Sequence, residues 1–147
     1  MARRVFFSFE YEKDCSRANV VRNSWVCQGC EAAGFVDMAD FEKLERQGNE
    51  AIKNWIDAQL VGTSVTVVLV GEKTCSRTWV SYEIRKSIEF GKGLLGIDIS
   101  KIKDLQGNTS DRCGKIPEGY SFYYWNNDDG YHNMGDWIEK AAKEAGK

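Results

Sequence analysis

The hydrophobic pattern of the chain alternates between two periods. Residues 5–11, Val-Phe-Phe-Ser-Phe-Glu-Tyr, open apolar and turn polar at their carboxyl end, as a buried strand does where it emerges at a sheet edge. Residues 65–70, Val-Thr-Val-Val-Leu-Val, are almost continuously apolar and β-branched, the signature of a parallel strand covered on both faces. Residues 94–99, Leu-Leu-Gly-Ile-Asp-Ile, predict another. A short strand is expected at Phe35-Val36-Asp37, and an edge strand within Tyr120–Trp125, ahead of an Asn-Asn-Asp-Asp-Gly turn. Between these run helical stripes. Ala51, Ile52, Trp55, Ile56 and Leu60 share one face, with Asn49 as the expected N-cap. Trp79, Val80, Ile84 and Ile88 form a second stripe behind a Ser76 cap. Trp137, Ile138, Ala141, Ala142 and Ala145 form a third, closing at Gly146, and a weaker helical pattern covers residues 15–30. Strands alternating with helices predict βαβ units and a parallel sheet with helices on both faces. The polar, Gly-containing stretch 103–119 is expected to be irregular.

Composition bounds this picture. At 147 residues the chain has room for one domain, and 42% hydrophobic residues suit a packed core. Twenty Lys and Arg against 22 Asp and Glu leave a formal net charge of -2, which provides no global basic field for nucleic acid or an anionic membrane. After Arg3-Arg4 the apolar run Val5-Phe6-Phe7 is too short for a signal-peptide core, and no later stretch has the length of a membrane span. The expected compartment is the cytoplasm, and five cysteines, an odd number, are expected there as thiols.

Several chemistries fall by absence. Gly91-Lys92-Gly93-Leu94-Leu95-Gly96 satisfies the G-x-G-x-x-G spacing, but it follows a helix and opens a strand. A dinucleotide loop requires the reverse order, so that a helix N-terminus meets the pyrophosphate. These glycines are expected to close a helix and turn the chain. Cys27-Gln28-Gly29-Cys30 lacks a second ligand pair at metal spacing, so no metal site is expected. There is no P-loop and no G-x-S-x-G elbow, and a single histidine, His132, leaves little scope for a Ser-His or Cys-His nucleophile.

In open α/β sheets, ligands bind beyond the carboxyl ends of the strands. That edge is expected to carry residues 8–11, Asp37, and the segment from Gly71 to Trp79. Glu83 lies one helical turn past Trp79 on the same helix face. A carboxylate beside an indole suits a sugar diol and a flat ring. The same spacing also describes a core tryptophan beside a solvated surface acid, and spacing alone leaves both readings open.

At these residues the sequence resembles a known family. Val5-Phe6-Phe7-Ser8-Phe9 is similar to the opening box of TIR domains. Phe35-Val36-Asp37, a loop to Gly48 and the helix bearing Ile52, Ile56 and Leu60 resemble the second strand, BB loop and second helix. Residues 64–70 resemble the third strand. Trp79-Val80-Ser81-Tyr82-Glu83-Ile84 resembles the segment in which NAD-cleaving TIR enzymes place a Trp four residues before the catalytic Glu. The resemblance covers about residues 4–100 of a single domain, 1–147, with a variable part over 101–147, and is nearest to the TIR-like proteins of bacterial Thoeris antiphage systems.

That resemblance implies the TIR fold, a flavodoxin-like three-layer α/β sandwich around a mostly parallel sheet. It also implies an activity: breaking the nicotinamide–ribose bond of NAD, the substrate, and cyclising the remainder to a cyclic ADP-ribose isomer that signals to a separate effector. No cofactor or metal is implied. Glu83 would be catalytic, with Trp79, Ser8, Phe9, Asp37, Tyr11 and Tyr82 around the substrate, and self-assembly through TIR–TIR contacts would follow. An aromatic cluster at Tyr120–Trp125 is a further candidate for enclosing the site. The alternatives are a hydrolase releasing linear ADP-ribose and a non-catalytic TIR interaction module.

Overall fold

The computed structural model describes residues 3–27, 29–35, 38–76 and 78–147; the side chains of Tyr11, Glu12, Glu31, Met38 and Ala39 also lie outside what it describes. The chain runs β1 (Arg4–Ser8), α1 (Tyr11–Cys27), β2 (Glu31–Ala33), α2 (Met38–Gln47), α3 (Asn49–Leu60), β3 (Val65–Val70), a 3₁₀ turn (Thr74–Ser76), α4 (Thr78–Glu89), β4 (Gly93–Asp98), β5 (Ser121–Tyr124) and α5 (Gly130–Glu144). All strand pairs are parallel, in the order β2-β1-β3-β4-β5. This is the flavodoxin-like order, and its connections diverge between β1 and β3, which opens a crevice at their carboxyl ends.

Pleating sorts the sheet into two faces. Val5, Phe7 and Phe9 join Val65, Val67, Leu69, Leu95 and Ile97 under α1 and α5, where Val21, Trp25, Met134 and Ile138 complete the larger core. Phe6 packs on the other face with Ile52, Ile56 and Leu60 of α3. Val68, Val70 and Leu94 meet Val80 of α4 there. The α3 stripe buries Ile52, Ile56 and Leu60, each worth about 1.5–3 kcal/mol of transfer free energy, and leaves Ala51 and Trp55 half-buried. Ser8 and Thr66 are buried polar positions on this second face, and they lie under α4.

Four local expectations change. The second strand lies at Glu31–Ala33; of the expected Phe35-Val36-Asp37, Phe35 is not in a strand and Val36 and Asp37 lie outside the described residues. Gly34, at φ 89°, turns the chain after Ala33, and a Cβ there would sit 2.5 Å from the Phe7 carbonyl oxygen. Alanines carry no strand signal, and only pairing with Arg4–Phe6 makes this a strand. Met38–Gln47, expected to be part of a loop, is helical because Phe41 finds a buried place edge-on to Trp55 of α3, ring centroids 6.3 Å apart. Gly48, not Asn49, occupies the N-cap position of α3. Ser76 does not cap α4; it sits in the preceding 3₁₀ turn, where its hydroxyl donates to the Lys73 carbonyl.

The α4 stripe also differs: Ile88 is exposed, and Tyr82, Glu83 and Ser87 are buried beside Val80. Residues 99–120 contain no helix or strand. Gly91 and Lys92 close α4 through bonds to the Ile88 and Ser87 carbonyls and lead directly into β4, so G-x-G-x-x-G is a helix end followed by a strand. The cysteines depart from expectation: Cys75 and Cys113 are disulfide-bonded, Cα atoms 5.2 Å apart, joining the segment before α4 to the loop after β4. Their separation of 38 residues hides this pairing from any local pattern. No helix among the described residues is long and apolar enough to cross a membrane.

Candidate active site

The crevice is built where β1 ends beneath α4. Pleating sends Phe7 and Phe9 toward α1 and leaves Ser8 pointing at the α4 side. In α4 the buried positions are Val80, Tyr82, Glu83 and Ser87, so the inner face of this helix is half polar. Ser8 is fully buried, at 0% exposure, and Glu83 is 5% exposed. The Ser8 hydroxyl donates to Glu83 Oε1 at 2.6 Å. One turn further on, Ser87 donates to the Glu83 carbonyl at 2.7 Å and its hydroxyl lies 2.6 Å from that of Thr66. Two polar links to the sheet thus fix the helix rotation that holds the carboxylate over the end of β1. A buried carboxylate is costly to desolvate and is a liability on a face that serves packing alone. The arrangement excludes the reading of Glu83 as a solvated surface acid.

Trp79 is half-buried and stands edge-on to Tyr82, centroids 5.6 Å apart and planes at 82°. Tyr82 donates its hydroxyl to Asp57 of α3 at 3.0 Å, and burial together with that carboxylate pushes its phenol pKa up. Both aromatics line a groove of about 460 Å³ with Asn49, Lys53, Thr78, Ser81 and Arg85. Glu83 does not line this groove; its carboxylate is turned toward the sheet, where it meets Ser8.

A scan against family models matches residues 6–104 to the TIR-like domain of the Thoeris protein ThsB. That stretch holds the whole crevice. The chain belongs to the ThsB TIR-like family. A protein of Bacillus cereus (strain MSX-D12) named "Putative cyclic ADP-D-ribose synthase ThsB1" is 42% identical over 139 residues, spanning 93% of this chain and 72% of that protein.

Within this ThsB-family domain, the structure pairs Ser8 with Glu83 and Trp79 with Tyr82 from the expected set. It sends Phe9 elsewhere. Phe9 is buried on the opposite sheet face, its ring centroid 4.8 Å from that of Phe35, so it supports the β1 end from below and does not line the crevice with Ser8. A one-residue step along a strand reverses the side-chain direction, which is the physical reason. Asp37 lies outside the described residues, and the Tyr11 side chain does too, although its backbone opens α1. The Tyr120–Trp125 cluster sits at the β5 edge, beyond β3 and β4 from β1, where Tyr123 stacks on Trp137 with centroids 4.1 Å apart. It does not enclose Glu83. Among the described residues, no group of three or more His, Cys, Asp or Glu side chains converges as a metal site.

Sequence reading missed Ser87 and Thr66, whose only signal was a polar residue within each otherwise apolar pattern. It also missed the charged group behind the crevice. Asp14 and Arg17 of α1 are buried, at 0% and 1% exposure. Their helical spacing was visible, but the weak apolar pattern of α1 gave no indication that this face turns inward.

Two results are expected from these contacts. Ser8→Ala removes a charge-assisted hydrogen bond of about 1.5–3 kcal/mol and is expected to lower kcat/KM for the reaction proposed below by about 10- to 150-fold. Steady-state NAD consumption measures this, and wild-type turnover would remove Ser8 from the site. Tyr82→Phe retains the ring against Trp79 and removes only the bond to Asp57. Its cost is about 1 kcal/mol, a fall in thermal midpoint of about 2–4 °C. An unchanged midpoint would show that this bond contributes nothing to docking α4 on α3.

Proposed function

We propose that this chain cleaves the nicotinamide–ribose bond of NAD and closes the remainder into a cyclic ADP-ribose isomer, an antiphage signal. The observation that carries the reading is the buried Glu83 carboxylate, fixed by Ser8 at the carboxyl edge of β1 and one turn from Trp79, in a chain of the ThsB family. The Bacillus cereus relative, named as a cyclic ADP-D-ribose synthase, supports the same chemistry.

The residues suit the steps. Nicotinamide in NAD is a cationic leaving group; when the C1′–N bond breaks, its electron pair goes to the ring nitrogen, and neutral nicotinamide departs without an acid. The ribose passes through an oxocarbenium-like state, as in glycoside cleavage. Glu83 accepts hydrogen bonds from the ribose hydroxyls and stabilises the developing positive charge. Trp79 packs against a ring of the substrate and excludes water. Cyclisation follows when a nucleophile within the ADP-ribose portion bonds to C1′ and loses its proton. Folding the substrate back on itself favours that attack over water. Signalling to a separate effector and TIR–TIR self-assembly belong to this reading and rest on family resemblance.

The test is direct. Purified protein is incubated with NAD, alone and with lysate of phage-infected cells, and products are resolved by chromatography and mass spectrometry. Nicotinamide plus a cyclic isomer supports the proposal. Linear ADP-ribose alone assigns a hydrolase, and intact NAD under both conditions overturns the enzymatic reading.

A further inference from the structure

The mechanism above uses α4 but not what holds its leading segment. Asp14, on the first turns of α1, is enclosed by the residues that follow β3. The Glu72 amide donates to its Oδ1 at 2.9 Å, and the Thr74 hydroxyl lies 3.4 Å from Oδ2. Thr74 Oγ1 in turn accepts the Gly71 amide at 2.8 Å. Gly71 is pressed against the carboxylate so closely that a Cβ there would lie 2.4–2.6 Å from its atoms. These contacts define the chain from Gly71 to Thr74, which continues through the 3₁₀ turn into α4, with Trp79 and Glu83 in its first turns.

The opposite side of Asp14 is held by Arg17. Its Nη1 lies 3.6 Å from Asp14 Oδ1 and 3.5 Å from Glu72 Oε2. Its Nε donates to the Ile102 carbonyl at 2.7 Å and its Nη2 to that of Asn108 at 3.1 Å, with Asp104 3.8 Å away. One buried pair on α1 therefore joins the loops after β3 and β4 behind the crevice. Neither residue reaches Ser8, Trp79 or Glu83 through any described contact.

We propose that Asp14 is a positioning residue for the NAD reaction, setting the placement of the α4 N-terminus over the end of β1 through the Gly71–Thr74 segment. This rests on the proposed function for its kinetic readout and not for its structural one. Displacement of a catalytic group by about 1 Å costs on the order of 100-fold in rate, whereas remote ground-state contacts with the substrate survive such a change. Asp14 acts on kcat.

The isosteric Asp14→Asn keeps an acceptor oxygen for the Glu72 amide and loses the charge facing Arg17. It is expected to lower kcat by about tenfold or more with KM within about threefold. Gly71→Ala displaces the carboxylate from the other side and is expected to show the same split, which covers the case in which the first variant folds poorly. The charged groups around Asp14 are Glu10 before α1, Arg17 on α1, Glu72 and Lys73 after β3, and Asp104 across Arg17. Burial, reinforced by Glu10, raises the Asp14 pKa against the opposing amides and Arg17. Wild-type kcat is accordingly expected to fall on the acid side at a pH above the ordinary aspartate range, and the acid limb of Asp14→Asn to lie at lower pH.

Amide hydrogen exchange supplies a readout independent of turnover: in Asp14→Asn, the peptide covering 72–83 is expected to exchange faster while peptides from β3 and α5 keep their protection. Unchanged exchange in that peptide overturns the proposal whether or not NAD is consumed. Unchanged kcat in both variants, a rise in KM alone, or an acid limb that superimposes on wild type likewise overturns it. A wild-type protein inert toward NAD, with the exchange difference present, overturns the proposed function and leaves Asp14 as the residue that sets this segment.

Discussion

Glu83→Gln is expected to reduce NAD consumption by at least about 100- to 1,000-fold, the cost of removing a group aimed at charge that develops only in the transition state. The substitution is nearly isosteric, and the amide oxygen can still accept the Ser8 hydroxyl that Glu83 Oε1 accepts at 2.6 Å. The fold is therefore expected to persist, with circular dichroism and thermal midpoint close to wild type. What disappears is the negative charge opposite an oxocarbenium-like ribose. Substrate binding through Trp79 and the groove is expected to remain, so the loss falls on kcat more than on KM. Turnover at the wild-type rate would displace Glu83 from the chemistry while leaving family membership intact. Loss of turnover together with loss of fold would assign the buried carboxylate a structural role.

Arg17→Met is expected to produce the largest loss of stability. The guanidinium is 1% exposed and meets Asp14, Glu72, Asp104 and the Ile102 and Asn108 carbonyls. A methionine fills much of the volume but leaves two carbonyls without their donor and a buried carboxylate without its counter-charge. Removing one partner of a buried pair costs about 3–5 kcal/mol. For a domain of this size that corresponds to a fall in thermal midpoint of about 6–20 °C. Differential scanning calorimetry measures it. A shift of about 1 °C would mean that water satisfies these groups and that the pair contributes little. Arg17→Lys is expected to recover only part of the loss, because an ammonium cannot present the planar fork that serves the surrounding carboxylates and two carbonyls at once.

Both results separate what was legible in the sequence from what was not. β3 was readable because a parallel strand buried on both faces has to be apolar at nearly every position. The α3 and α5 stripes were readable because Ile52, Ile56 and Leu60, and Ile138, Ala141 and Ala142, recur at helical spacing toward a core. The Trp79-to-Glu83 spacing put both residues on one helix face and, through family resemblance, named the site. β2 was misplaced because two alanines carry no period. The resemblance placed Phe9 with Ser8 around the substrate, and pleating puts them on opposite sides of the sheet. Met38–Gln47 was read through the resemblance as a loop, although Phe41 and Leu44 already stood at helical spacing.

The sequence by itself determined the class of fold and the places of most strands and helices, since each depends on periodicity, and it put Trp79 and Glu83 on one helix face without deciding what that face does. Tertiary structure alone decided the partners. Ser8 meets Glu83 across 75 residues, Arg17 meets Ile102 across 85, and Cys75 meets Cys113 across 38. Such contacts leave no local trace, because a polar residue that will be buried and paired looks, along the chain, the same as one that will face water.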